Sequence, residues 1–138
     1  MPTVLGLHPF FADAAQACVR AQAPRVWLTD DQCLPLEEVE APAGWSFAQG
    51  RPISAIALDH CFTDWNAQAT VIWPDRQVRI KATHCNCLHI YAPSGQSFFC
   101  LEPQSGPAGA LHRVAGGASI IQAGRSFGIE VQFTVGHD

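Results

Sequence analysis

The chain has 138 residues, a length that fits one domain, so we expect residues 1–138 to form a single unit. Eight Lys and Arg residues against twelve Asp and Glu give a net charge of −4, and only 14% of the residues are charged. This composition excludes a basic nucleic-acid-binding surface and argues against intrinsic disorder. No apolar run approaches the ~18–20 residues that span a bilayer, so we expect neither a nucleic-acid nor a membrane partner.

The N-terminal sequence and the low charge predict a compartment and a mode of association. Residues 1–8 lack the basic region and apolar stretch of a secretory signal, so we expect a cytoplasmic protein. A domain of this size with few charges must carry apolar surface somewhere. We therefore expect either a homo-oligomer or a missing partner layer that covers this surface.

Helix signals are weak along the whole chain. Ala12–Ala23 is rich in alanine and predicts one short helix, which Pro24 would end. The segment Gln32–Pro52 contains several prolines and three glutamates, and we interpret it as a solvated acidic loop.

The rest of the chain consists of short runs of β-branched and aromatic residues separated by turn residues, which is a pattern of strands. The predicted strands are Arg25–Thr29, Ala55–Phe62, Ala69–Trp73, Val78–Thr83, Leu88–Ala92, Phe98–Glu102, Gly117–Ile121 and Phe127–Val135. Pro74–Gln77 and Pro93–Gln96 predict two hairpins. Polar residues alternate with apolar ones in Val78–Ala82 and Ile129–Phe133, so one sheet face should be solvated. The fold class is therefore all-β, an antiparallel β-sandwich.

Six cysteines are too few for a disulfide scaffold of this length. Cys85 and Cys87, with His84 and His89 beside them, form a cluster that resembles a metal site, but structural zinc needs a second ligand pair. Alternation along a strand places Cys85 and Cys87 on one face, with Cys100 on a neighbouring strand. We expect buried free thiols here and no metal site.

Three polar residues stand among apolar ones and could carry chemistry. His8 lies within Leu7–Phe11, Asp59 lies within Ala57–Phe62, and Glu102 follows four apolar residues of a predicted strand. Desolvation should raise the pKa of such a carboxylate towards the range of a general base, and histidine is its natural acid partner. An acid and a base of similar pKa suit the opening and reclosing of a cyclic hemiacetal, which requires no metal or organic cofactor.

Four segments occur in the order and approximate spacing of the aldose 1-epimerase (galactose mutarotase) superfamily. They are His8–Phe11, Leu58–Phe62, Phe99–Ser105 and Gln122–Ser126, the last followed by a long predicted strand. Members of this superfamily are about twice as long, and the chain resembles only their C-terminal half. The resemblance implies half of the galactose-mutarotase β-supersandwich.

The resemblance also implies an activity and a set of residues. The activity is the interconversion of sugar anomers, with a hexose-like sugar as substrate and no cofactor. Glu102 would be the general base, His8 the acid that serves the ring oxygen, and Asp59 a hydrogen-bonding partner of sugar hydroxyls. We interpret His60 as a packing or surface residue.

Other interpretations of these residues stay open. Glu102 could cap the turn that begins at Pro103, His8 could be a surface residue near a frayed end, and Asp59 could be a strand-end hydrogen-bonding partner. A second hypothesis for the whole chain is a truncated mutarotase-like module that binds carbohydrate or assembles without turnover. A third is an assembly unit completed by a second copy or by a separate N-terminal half.

Overall fold

The computed structural model describes residues 1–112 and 117–137. Within these ranges the chain forms thirteen strands and four single-turn 3-10 helices. The strands, numbered in chain order, are β1 (Pro2–Thr3), β2 (Phe10–Ala12), β3 (Cys18–Ala21), β4 (Arg25–Thr29), β5 (Pro35–Glu40), β6 (Arg51–Pro52), β7 (Leu58–Thr63), β8 (Gln68–Ile72), β9 (Gln77–Thr83), β10 (Cys87–Ala92), β11 (Phe98–Gln104), β12 (Ser119–Ile120) and β13 (Glu130–Gly136). The 3-10 helices are Ala14–Gln16, Ala43–Trp45, Ile53–Ala55 and Ala110–His112.

Two main antiparallel sheets face each other across one core. The six-stranded sheet has the order β2-β11-β10-β7-β4-β5, and the five-stranded sheet has the order β13-β9-β8-β3-β6. Strands β1 and β12 pair separately. Phe62, Leu88 and Phe99 from the first sheet share a buried cluster with Val71 and Ile80 from the second. The predicted all-β sandwich is confirmed.

The predicted hairpins and the alternating strand are also found. Strands β8 and β9 pair from Ile72 opposite Gln77, so Pro74–Gln77 connects a hairpin. Strands β10 and β11 pair in the same way around Pro93–Gln96. In β9, Ile80 is buried while the neighbouring Arg79 is exposed, as the alternation predicts. In the part of the chain that the structure describes, no helix has the length and apolarity to cross a membrane.

The predicted helix over Ala12–Ala23 is wrong. Only Ala14–Gln16 form a helical turn, and strand β3 follows directly. Ala17, Val19 and Ala21 are buried at every second position, and Val19 pairs with Val71 of β8. Sheet pairing and burial of this face outweigh the intrinsic helix preference of alanine, which is weak compared with tertiary packing.

The predicted loop over Gln32–Pro52 is wrong in part, because it contains strand β5. Strand β5 forms the edge of the six-stranded sheet and pairs with β4. Its acidic residues suit an edge strand, since charged side chains discourage pairing with other chains. Glu38 is half-buried and accepts a hydrogen bond from the hydroxyl of Thr63. Its Oε2 also lies 3.5 Å from Nε of Arg25, in an ion pair.

The edge strand β13 extends beyond the shared core. Phe133 lies opposite Ile80 and Val135 opposite Val78, so both occupy the face of the sheet that carries the core residues. Their exposed fractions are nevertheless 41% and 61%. This part of the five-stranded sheet is apolar on a face that the six-stranded sheet does not cover.

Candidate active site

The candidate site occupies the outer face of the six-stranded sheet, where alternation places polar side chains opposite the core. In β11, Phe99 and Leu101 are fully buried in the core, so the neighbouring Glu102 points to the other face. In β10, Leu88 and Ile90 belong to the same core, which directs His89 to that outer face. The antiparallel register then places His89 opposite Glu102.

Three side chains form one row across the strands of this face. His89 of β10 pairs with Glu102 of β11 and with Cys61 of β7. The next row contains Asp59 opposite Tyr91. Directly opposed residues of antiparallel strands have Cβ atoms about 5 Å apart, close enough for their side chains to interact. The register therefore places Asp59 and Glu102 on one face of the sheet, on either side of β10.

Among the described residues, Glu102 is the one acidic residue that is buried, with only 10% of its side chain exposed. Burial raises the pKa of Glu102 above its usual range, and the positive charges of His89 and His8 offset part of that rise. The desolvated strand position inferred from the sequence is therefore observed. A carboxylate in this setting binds a proton more strongly than an exposed one, which is the direction that a general base requires.

His8 reaches this carboxylate from the segment between β1 and β2. Its Nε2 lies 3.2 Å from Oε1 of Glu102, and 56% of its side chain is exposed. The ring stacks on Phe10, with centroids 4.9 Å apart. The structure thus brings together the acid and base candidates that the sequence analysis selected.

The chain before His8 is fixed along β11. The amide of Leu7 donates to the carbonyl of Pro103 over 3.1 Å, and Gly6 forms a bridge with Gln104. A Cβ at Gly6 would lie only 3.0 Å from Cγ of Gln104, so a glycine permits this close approach. The position of His8 is therefore set by backbone pairing rather than by its own exposed side chain.

Asp59 lies beside this pair but contacts a different histidine. Its Oδ1 lies 2.8 Å from Nε2 of His89, while about half of its side chain remains exposed. His60 lies on the opposite face of β7 and contacts Trp45 edge-on, at 4.6 Å between centroids. Burial lowers the pKa of His60. His60 is a packing residue, in agreement with its interpretation from sequence.

His89 is the residue of this site that the sequence analysis did not select. Burial alone would lower the pKa of His89, but hydrogen bonds with Cys61 and Asp59 and the charge of Glu102 outweigh it and raise the pKa to about 9. The alternation of apolar and polar residues in β10 was the available signal. It places His89 on the outer face of a strand joined by a hairpin to the strand of Glu102.

The cysteines near this face are free thiols, and those at positions 61, 85, 87 and 100 are buried. A hydrogen bond from the Cys87 thiol, and His89 after it, lower the pKa of Cys61 against the effect of its burial. Burial, with the nearby charge of Glu102, raises the pKa of Cys100 to about 11. Cys100 is therefore a neutral thiol at physiological pH.

One group of donor atoms in the described residues has the spacing of a metal site. Nε2 of His8, Sγ of Cys100 and a carboxylate oxygen of Glu102 all lie within 4.8 Å of one another. A cation there would have to displace the proton of a thiol whose pKa is raised, because metals bind the thiolate. The cluster considered from sequence, around Cys85 and Cys87, is not among the groups of donor atoms that meet this spacing in the described residues. Nδ1 of His84 lies 3.0 Å from the carbonyl oxygen of Gly128.

The comparison with known families assigns this antiparallel β-sandwich to one family. The sequence profile described as aldose 1-epimerase matches residues 1–134. The chain therefore belongs to the aldose 1-epimerase family.

Particular relatives support the assignment of the fold. The uncharacterized protein YphB of Escherichia coli K12 is 31% identical over 134 residues, which cover 89% of this chain and 46% of that protein. A crystal structure from Escherichia coli K12, provisionally assigned as an aldose 1-epimerase, superposes with a TM-score of 0.90 at 29% identity over 99% of this chain and 51% of that one. A galactose mutarotase-like protein from Clostridium acetobutylicum shares the fold, with a TM-score of 0.84, 16% identity and coverage of 100% and 48%. The chain spans about half the length of these relatives.

Proposed function

We propose that this chain performs the acid–base chemistry of an aldose 1-epimerase, interconverting the anomers of a hexose-like sugar. The observation that carries the proposal is the contact between a buried carboxylate and an accessible imidazole, Glu102 and His8, 3.2 Å apart. In a cyclic hemiacetal the anomeric hydroxyl and the ring oxygen are bonded to the same carbon. An acid and a base that serve both oxygens must therefore lie side by side, as these two groups do.

The proposed reaction begins with Glu102 as the base. Its carboxylate takes the proton of the anomeric hydroxyl, the electrons of that O–H bond form the aldehyde C=O, and the bond from the anomeric carbon to the ring oxygen breaks. The ring oxygen keeps the electron pair of the broken bond and takes a proton from His8. Rotation of the aldehyde and the reverse steps then close the ring on either face. Asp59, half exposed beside the pair, would bind sugar hydroxyls.

The test is polarimetry of freshly dissolved α-glucose and α-galactose. Glu102→Gln keeps the shape of the side chain but removes the base, so we expect the rate above buffer to fall by about 10²- to 10⁴-fold. Glu130→Gln is the matched control, because Glu130 is exposed on β13, away from the site. A rate that is unchanged in Glu102→Gln, or no rate above buffer for the chain, would overturn the proposal.

The uncovered apolar face of β13 favours a second proposal, that the chain works as part of an assembly. Phe133 and Val135 are exposed on a core-type face, and the chain spans about half the length of its relatives. We propose that a second copy, or a separate N-terminal half, covers this face. Light scattering should show a dimer or larger species that Phe133→Asp reduces to a monomer, and a monomeric wild-type chain would count against a second copy.

Calorimetric titration with the same sugars would separate a binding module without turnover from an enzyme.

A further inference from the structure

His89 lies between the two acidic groups of the candidate site. Its Nε2 is 2.8 Å from Oδ1 of Asp59, on the strand to one side, and its backbone is paired with that of Glu102, on the strand to the other side. About 20% of its side chain is exposed, so this imidazole has lost most of its contact with water. A buried charge in such a place is stabilised only if opposite charges and hydrogen bonds surround it.

We infer that His89 is a positively charged positioning residue, which holds the Asp59 carboxylate on one side and keeps Glu102 in its ionised form on the other. The inference rests on the proposed role of Glu102 as the base, because only the ionised carboxylate can take a proton. It gives His89 no contact with the reacting atoms. His89 acts through the two carboxylates.

The charges around His89 explain why Glu102 needs this neighbour. The titratable groups that face His89 are Asp59 and Cys61 from β7 and Glu102 from β11. Burial favours the protonated form of Glu102, and the negative charge of Asp59 acts in the same direction. His89 is first among the groups that oppose them, ahead of His8. Without the imidazolium, the exposed His8 would be the charge left to oppose the burial of Glu102 and the charge of Asp59.

The hydrogen bond to Asp59 keeps the imidazolium charged and in place. Asp59 and Cys61 both hydrogen-bond the ring and raise the pKa of His89 to about 9, so the ring is protonated at neutral pH. The carboxylate of Asp59 is in turn held in one orientation although it is half exposed. One ion pair therefore fixes a sugar-facing acceptor and sets the charge next to the base.

The experiment follows the ionisation of Glu102 directly, by the ¹³C resonance of its carboxyl carbon as a function of pH. In His89→Gln, which retains a hydrogen-bond donor for Asp59 but no charge, Glu102 should take up its proton about one pH unit higher than in wild type. His89→Lys restores a positive charge and should return the titration towards wild type. His84→Gln, at an exposed turn away from the site, is the control and should leave it unchanged.

The same shift should appear in the kinetics if Glu102 is the base. The acidic limb of the pH profile of kcat/KM should move up by about one unit in His89→Gln, a loss of about tenfold below the limb and little loss at pH 8. Equal Glu102 titrations in wild type and His89→Gln would overturn the inference, as would a His89 ring in wild type that loses its proton below pH 7. The resonance titration needs no turnover, so a shifted Glu102 in a chain without epimerase activity would support the charge coupling while overturning the proposed function.

Discussion

The candidate site contains two histidine–carboxylate pairs whose burial is reversed. In the first pair the carboxylate of Glu102 is 10% exposed and the ring of His8 is 56% exposed. In the second pair the ring of His89 is 20% exposed and the carboxylate of Asp59 is 49% exposed. Burial raises the pKa of Glu102, whereas hydrogen bonds with Cys61 and Asp59 outweigh the effect of burial and raise the pKa of His89.

Because of this reversal, the two pairs are suited to different chemical roles. A buried base with an exposed acid can pass protons to and from a ligand that arrives from solvent. A buried cation beside an exposed carboxylate is a fixed ion pair. Its carboxylate can accept hydrogen bonds from the same ligand while both members keep their charge. Two histidine–carboxylate pairs on the same face thus differ in which member is buried.

A large effect, second to that of Glu102→Gln, should come from removing the exposed acid of the first pair. His8→Ala should lower kcat by about 10²-fold, because the ring oxygen loses its proton donor. The free energy of unfolding should change by less than about 0.5 kcal/mol, since an exposed side chain contributes little to stability. Polarimetry and urea denaturation would measure the two effects, with His84→Ala as the matched surface histidine. A loss of stability as large as the loss of activity would show that the exposed ring is structural.

A smaller effect should appear when the charge of the second pair is removed by pH. The pKa of His89 is about 9 in the folded chain, above the ordinary value of 6.5. Its stabilising contribution is therefore complete below about pH 6.5 and is lost as the pH rises through about 9, a decrease of roughly 1 to 3 kcal/mol in the free energy of unfolding. Urea denaturation at several pH values would measure this decrease.

The control for this pH dependence is His89→Gln, whose stability should vary less between pH 6.5 and 9 than that of wild type. If the two chains lost stability in parallel over that range, the ion pair with Asp59 would not be its source. The burial of His89 would then make no contribution to the pH dependence of the free energy of unfolding.

The smallest effect should come from removing metal ions or the thiol beneath the first pair. Treatment with EDTA, and the substitution Cys100→Ser, should leave the epimerase rate unchanged, because the neutral thiol takes no part in proton transfer. Added Zn²⁺ tests the other interpretation of the same atoms, since it would compete for His8 and Glu102. A rate that EDTA abolishes and Zn²⁺ restores would replace the acid–base pair by a metal centre.

The sequence predicted correctly the elements whose signature lies within a few neighbouring residues. The alternation of Val78–Ala82 and the turn residues of the two hairpins gave the right elements, because a half-buried strand and a tight turn each have a signature within a few residues. Strand β3 has no such signature. Its burial depends on pairing with Val71, far along the chain, so alanine content pointed to a helix instead.

A site residue could be predicted from sequence where its neighbours in the chain indicate its environment. Glu102 follows an apolar run, so its desolvation could be inferred from neighbours in sequence. His89 becomes notable only through the register that places it opposite Glu102 and near Asp59. Register depends on the exact residues that close a hairpin, and a shift by one position reverses every side chain. The role of an ion pair between two strands therefore could not be read from either strand alone.

The attachment of the N-terminal segment to β11 has a consequence for the order of folding. The amide of Leu5 bonds the hydroxyl of Ser105, 100 positions away, and strand β2 closes the same edge of the sheet. Contacts of such large sequence separation form late and slowly, because the chain between them must be ordered first. The hairpin of β10 and β11 can form early, but His8 meets Glu102 only when this last edge docks. During refolding, the recovery of catalysis should therefore follow the slowest kinetic phase, after most of the sheet structure has returned.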